Sequence, residues 1–451
     1  MSNNDSLSLG TERIWILLRR YAVPSIVAMT ASSLYNMVDS IFIGQGVGTM
    51  AIAGLAITFP FMNLAAAFGA MVGVGASTVI SVKLGQKDIE GAEHAMGNVV
   101  LLNIMIGIVF MMVSLLFLDN ILIFFGASEA TLPYARDYME IILYGNIVTH
   151  VYLGLNAVMR SSGYPRGSMY TTLFAVIING FFNYLFIFVF NMGIKGSALA
   201  TVIAQILALI AVLWHFSRPS TFLRFKLSMF KFRLTVARNI LAIGLAPFFI
   251  NVCACLVVML INNGLKTYGG DLYIGAYGIN NRIVFFFIMI VMGLNQGMQP
   301  IVGYNYGARK LDRVMSGFKM TAISAVAVTT IGFLICQCFP TFVVSLFTRD
   351  PQLIEISKHA LHIITFIFPV VGYQMVATNF FQSVGLAKKA IFLSLNRQML
   401  FLIPFLLVLP RFFGIEGVWW SMPMADFVST IVVSILLMNQ IKQFKAEYQN
   451  N

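Results

Sequence analysis

Apolar residues run along this chain in long blocks, each broken by a short polar stretch. A block of ~20 apolar residues crosses the hydrocarbon core of a bilayer as a helix. The blocks are too long and too evenly apolar for membrane-barrel strands, which alternate over roughly ten residues. Backbone polar groups in lipid must be satisfied internally, which leaves helices. The pattern predicts twelve spans, at residues 14–42, 50–82, 92–118, 134–160, 167–190, 194–216, 236–264, 273–305, 315–340, 357–383, 388–410 and 415–438. The second and eighth are longer than a crossing needs, so tilt or projecting ends are expected. The fold class is an all-α membrane protein with twelve transmembrane helices.

The pattern also repeats. "GQKDIE" (85–90) returns as "GARKLD" (307–312), and "MRSSGYPR" (159–166) as "FQSVGLAK" (381–388), both 222 residues on. "GIKG" (193–196) returns as "GIEG" (414–417), and Pro24 as Pro247. The expected domains are an N-terminal six-helix bundle, 1–217, a basic cytoplasmic linker, 218–235, and a C-terminal six-helix bundle, 236–451. Six is even, so both halves enter the membrane from the same side, as parallel repeats about an axis along its normal. The linker region, "SRPSTFLRFKLSMFKFRLTVARN" (217–239), alternates basic residues with Phe and Leu. It reads as a short amphipathic helix on the inner leaflet or as a charged topology anchor.

Composition supports this picture. The chain is 59% hydrophobic and 10% charged, with a mean hydropathy of +0.85; soluble domains are roughly 25% charged. The net charge of +12 would suggest nucleic acid in a soluble protein. Here it fits topology, because cytoplasmic loops collect Lys and Arg. With the N-terminus inside, the inner segments hold Arg13, Arg19, Arg20, Lys83, Lys87, Arg160, Arg166, the basic cluster from Arg218 to Arg238, Arg309, Lys310, Arg313, Lys319, Lys388, Lys389, Arg397, Lys442 and Lys445. The outer loops hold only Arg136, Lys195, Lys266, Arg349, Lys358 and Arg411. The expectation is a multi-pass protein of the bacterial inner (plasma) membrane with both termini cytoplasmic. Arg13, Arg19 and Arg20 lead into a full-length helix with no small-residue cleavage site, so no cleaved leader is expected.

Cys253, Cys255, Cys336 and Cys338 lie in apolar segments. Positions i and i+2 diverge on a helix, so packing rather than metal binding is expected. No Gly-rich loop ends in Gly-Lys-Ser/Thr. Neither ATP-driven transport nor enzymatic catalysis is indicated, and two halves with a site between them is how secondary transporters are built.

One acid stands inside the first span, Asp39 in "SSLYNMVDSIFIGQG" (32–46). A mid-membrane acid costs about 3 kcal/mol on insertion scales and is a functional candidate by default. Desolvation favours its neutral form, and each charge moved through the membrane potential gains about 2.3 kcal/mol per ~100 mV. Asn179 and Asn183, four apart, share a face of the fifth span. Tyr35, Asn36 and Met37 beside Asp39 are substrate-cavity candidates, as are Gln296 and Gln299 late in the eighth span. Met surfaces suit promiscuous binding, and the chain has 26 Met. Asp426 in the last span either lines the cavity or pairs with Arg282, and Arg282 otherwise marks a pathway or snorkels to the interface. Pro24, Pro247 and Pro300 interrupt helical bonding and are hinge candidates.

The stretches "YAVPSIVAMTASSLYNMVDSIFIGQGVGTMAIAGLAI" (21–57), "GIKGSALATVIAQ" (193–205) and "QGMQPIVGYNYGARKLDR" (296–313) resemble the multidrug and toxic compound extrusion (MATE) transporters, and the likeness covers nearly the whole chain. The resemblance implies a V-shaped pair of bundles around a central cavity. It also implies secondary active export of cationic or amphipathic compounds, by alternating access, in exchange for H⁺ or Na⁺. Asp39, Asn179, Asn183 and Thr201 match the family's cation site. Some members have a second Asp where this chain has Asn183, which favours H⁺; Na⁺ at Asp39 is the single metal possibility. The C-terminal half has Asn251, Asn262 and Gln374 on helices where other members carry acids. The coupling ion aside, no cofactor is expected. The expected partners are small cationic or amphipathic drugs and the lipid bilayer, with no nucleic acid, and a monomer is expected. The competing reading is a flippase for a lipid-linked oligosaccharide or cell-wall precursor. Flippases of that kind often have fourteen spans and a basic cavity.

Overall fold

The computed structural model describes residues 8–219 and 221–449, without the side chains of 34–38, 49, 227, 271 and 447–449. Every regular element among them is helical. The first half contains α1 (Ile14–Gly46), α2 (Thr49–Gly85), α3 (Ile89–Leu116), the short α4 (Leu118–Phe124), α5 (Leu132–Ser161), α6 (Pro165–Tyr184) and α7 (Gly193–Ser217). The second contains α8 (Leu234–Tyr268), α9 (Asp271–Gly307), α10 (Leu311–Cys338), the short α11 (Pro340–Ser345), α12 (Pro351–Ile364), α13 (Phe368–Ser383), α14 (Ala387–Leu395), α15 (Ile403–Phe413) and α16 (Ile415–Gln449). A π-helical turn, Leu185–Val189, extends α6, and another, Asn396–Leu402, joins α14 to α15.

Eleven stretches of helix among the described residues are long and apolar enough to cross a membrane, and α12 with α13 forms a twelfth, broken one. The expected tenth span, 357–383, is thus two helices bent by 53°. Pro369 lacks the N–H that would carry α12 on. The Thr365 hydroxyl donates to the Leu361 carbonyl at 2.7 Å, a back-bond that also bends helices. The matching position in the unbroken α5 is Ile147.

The sequence repeat reappears in the backbone. Left-handed conformations occur in pairs 222 residues apart: Gly48 with Gly270, Lys87 with Arg309, and Gly163 with Gly385. Gly193 and Gly414 make a fourth pair, one residue closer. These residues reverse the chain after corresponding helices, so the two halves turn at the same points.

The compact units do not coincide with the expected halves. One contains residues 27–248 and the other residues 13–26 with 249–451. The boundaries after residues 26 and 248 lie inside helices, within one turn of Pro24 and Pro247, and residues 8–12 go with the first unit. Glycines show why. A Cβ on Gly75 of α2 would stand 1.9 Å from the Ile240 carbonyl oxygen, and one on Gly244 the same distance from that of Met71. The first turns of α8 therefore lie backbone to backbone on α2, the close crossing that small residues permit in membranes. In the other unit, a Cβ on Gly297 of α9 would stand 2.6 Å from the Ala22 nitrogen. Each unit thus includes the start of the other half's first helix.

Large apolar side chains such as Leu116, Phe124 and Phe412 point outward, while Ser77, Asn98, Asn103 and Thr321 are fully buried. That inversion suits a chain dissolved in hydrocarbon, whose helices gain little from hiding apolar surface.

The linker is not an amphipathic helix. It is largely extended, with one 3₁₀ turn, Leu227–Phe230, and it docks on α3. Lys226 Nζ donates to Glu93 Oε2 at 2.7 Å, and the Asn98 side chain bonds the backbone of Lys231 and Arg233. Leu223 and Met229 are buried. Gly97 makes room for this strap, since a Cβ there would meet the Met229 carbonyl oxygen at 2.2 Å. The basic residues keep the linker in water, while Leu223 and Met229 face protein rather than lipid.

Candidate functional site

The first unit carries a closed polar cluster around Asp39, which is only 4% exposed. Asp39 sits late in α1. Asn183 Nδ2 donates to Asp39 Oδ1 at 2.6 Å, and Thr201 Oγ1 to Asp39 Oδ2 at 3.4 Å. Asn183 Nδ2 also lies 3.1 Å from both the carbonyl and the side-chain oxygen of Asn179. Asn179 Nδ2 completes the ring by donating to Thr201 Oγ1 at 3.2 Å. The four residues named from sequence, on three helices, therefore meet at one place. The spacing of four on α6 puts both amides on one face. The π-helical turn begins two residues past Asn183, the kind of local irregularity that often marks functional sites.

Among the described residues no basic side chain forms an ion pair with Asp39. Among the described residues the carboxyl is held by neutral donors. Asn183 Oδ1 is buried and has no donor among the described residues. It therefore offers an acceptor to the O–H of a protonated Asp39, while Nδ2 serves the carboxylate. The cluster can satisfy both protonation states with small side-chain rotations.

A fifth member was missed from sequence. Tyr138 of α5 is buried and lies within electrostatic reach of Asp39 and Thr201. It follows "YARD" near the start of its helix, where a Tyr reads as an interfacial anchor. Only packing reveals it.

The MatE family profile matches this chain twice, over residues 24–185 and 247–408. The chain belongs to the MatE family. Its multidrug export protein MepA relative from Staphylococcus haemolyticus is 27% identical over 424 residues, covering 94% of this chain and 93% of that protein. The solved MATE multidrug transporter DinF-BH, in complex with rhodamine 6G, is 35% identical with a TM-score of 0.88, covering 95% of this chain and 96% of that one. A MATE structure in the bent conformation superposes with a TM-score of 0.94 at 21% identity over the full length of both, which speaks for the fold. MatE proteins are transporters, not enzymes, and this chain is a multi-pass membrane member.

In the second unit of this MatE chain, two sequence expectations are corrected. Asp426 does not pair with Arg282. It accepts a hydrogen bond from Arg397 Nε, and the Asp426 carbonyl accepts from Thr430 Oγ1 at 2.7 Å. Arg397, counted above with the inner loops, lies instead near the middle of the eleventh span, on its π-helical turn. Sequence spacing gave no reason to pair residues 29 positions apart on separate helices. Arg282 is exposed on α9 and has no hydrogen-bond or ion-pair partner among the described residues.

Gln374 is buried and donates to Ser429 Oγ at 2.6 Å, as Asn396 does at 3.3 Å. Gln299 and Pro300 are buried late in α9, with Gln296 partly so. Asn262 is partly buried on α8, and Asn251 is exposed there. The side chains of Tyr35, Asn36 and Met37 lie outside the described residues.

Proposed function

We propose that this protein is a secondary active exporter of cationic and amphipathic compounds, driven by protons that enter through Asp39 in alternating-access cycles. The observation that carries this reading is a buried carboxyl bonded, among the described residues, to the neutral Asn183 and Thr201, with an acceptor beside it that no described residue uses. Such a group takes a proton when its surroundings open to an acidic side and yields it when they open to the other. Na⁺ is the less favoured ion, because the Asn183 amide presents its nitrogen to Asp39. The multidrug export named for MepA and the dye bound to DinF-BH support the substrate class. The distribution of basic residues supports cytoplasmic termini. We take the working unit to be a monomer.

The test is dye efflux from proteoliposomes under an imposed pH gradient, an imposed Na⁺ gradient, or neither. Efflux driven by the pH gradient alone is expected. Efflux driven by Na⁺ alone would move the coupling to sodium. Movement of a lipid-linked oligosaccharide without dye efflux would favour the flippase.

A further inference from the structure

The interior of the second unit's spans carries two cations and one acid: Arg282, Arg397 and Asp426. The other charged residues on the spans of that unit lie within about two turns of a helix end. The unit's interior is therefore net positive. Arg397 uses Nε on Asp426, whose side chain is 8% exposed. Its two terminal nitrogens make no hydrogen bond to any described residue, yet its side chain is 32% exposed. A guanidinium has five N–H donors in a rigid fork that matches an oxyanion. Here one edge is fixed by Asp426 and the other is open. A charged side chain left half-paired at mid-membrane faces water or a ligand, not lipid.

We propose that Arg397 anchors an oxyanion-accepting subsite in the second unit, which takes the carboxylate of zwitterionic amphiphiles. Asp426 holds the guanidinium in place, and the π-helical turn sets its angle. Tyr277, within electrostatic reach of Arg397, packs into the buried apolar cluster of Leu402 and Trp419, which fixes its ring. Depth excludes a lipid headgroup, because Arg397 lies ten residues, about 15 Å, from the start of α14. The inference rests on the drug-export reading and adds to it the group that holds a substrate's anionic end.

The test compares rhodamine 6G, an ester, with the same dye as its free acid. Binding is measured by fluorescence polarisation to protein in nanodiscs of phosphatidylcholine alone. The wild type is expected to bind the acid at least tenfold more tightly than the ester. Arg397→Leu combined with Asp426→Leu, which removes the pair without stranding a buried acid, is expected to erase that preference and leave ester affinity unchanged. Arg397→Lys keeps the charge but not the fork and is expected to lose most of the preference. Equal binding of both dyes by the wild type, or a preference surviving in the double variant, would overturn the subsite alone. Failure of the wild type to bind either dye would count against the export reading as well. Retained ester binding reports that each variant is folded.

Discussion

Asn183 Nδ2 lies 2.6 Å from Asp39 Oδ1, joining residues 144 positions apart through the core of one bundle. A hydrogen bond to a charged group contributes about 1.5–3 kcal/mol. Asn183→Ala is therefore expected to lower gradient-driven efflux by about tenfold or more per folded molecule, with a lower thermal unfolding temperature. Efflux at the wild-type rate would show that the contact does not support coupling.

Thr201 separates a hydroxyl effect from a packing effect. Its Oγ1 donates to Asp39 and accepts from Asn179. Thr201→Val keeps the shape and strands the Asn179 amide, costing about 1–3 kcal/mol. Thr201→Ser keeps the hydroxyl. Efflux is expected to fall in the valine variant and to persist in the serine one. Equal behaviour of the two would assign Thr201 to packing.

The Gly75 and Gly244 crossing predicts a structural failure. Overpacked substitutions typically cost about 1–3 kcal/mol. Gly75→Val is expected to fall at or above the top of that range, because the obstacle is the Ile240 backbone. Thermal unfolding in detergent is the readout. Gly278, whose Cβ would meet nothing within 4 Å, is the matched control, and Gly278→Ala should unfold as the wild type does.

Much of this was legible in the sequence. Length and hydropathy were enough for the spans, because lipid forces helices wherever such blocks occur. The repeat at 222 residues located the reversing turns before Lys87 and Arg309 were seen in left-handed conformations. Asp39 was legible because an acid in lipid stands out; Asn179, Asn183 and Thr201 were legible through the resemblance to the MATE family. Tyr138 was not, since a Tyr near a helix end looks interfacial. The pairing of Arg397 with Asp426 was not either, because it depends on the relative rotation of two helices. The break at Pro369 and the docking of the linker are tertiary outcomes that local pattern does not fix.

Asp88 gives a prediction outside the membrane. It caps α3 by accepting from the Gly91 amide at 2.8 Å. The Lys83 ammonium, also at 2.8 Å, holds its carboxyl below the usual carboxylate range, with the Gly91 bond adding to the effect. A carboxyl depressed in the folded state stabilises above its unfolded value, and that contribution is lost as pH falls through the folded one. Asp88→Ala is expected to cost about 1 kcal/mol at neutral pH. The gap from wild type should close under acid conditions below the carboxylate range. A gap independent of pH would mean that the charge plays no part.

The central claim is that Asp39 carries the coupling proton. Its most direct test is Asp39→Asn in proteoliposomes, measuring dye efflux against a concentration gradient and dye-for-dye exchange at equal pH. The account predicts that uphill, pH-driven efflux disappears while passive exchange continues. Uphill efflux at the wild-type rate in that variant would contradict it.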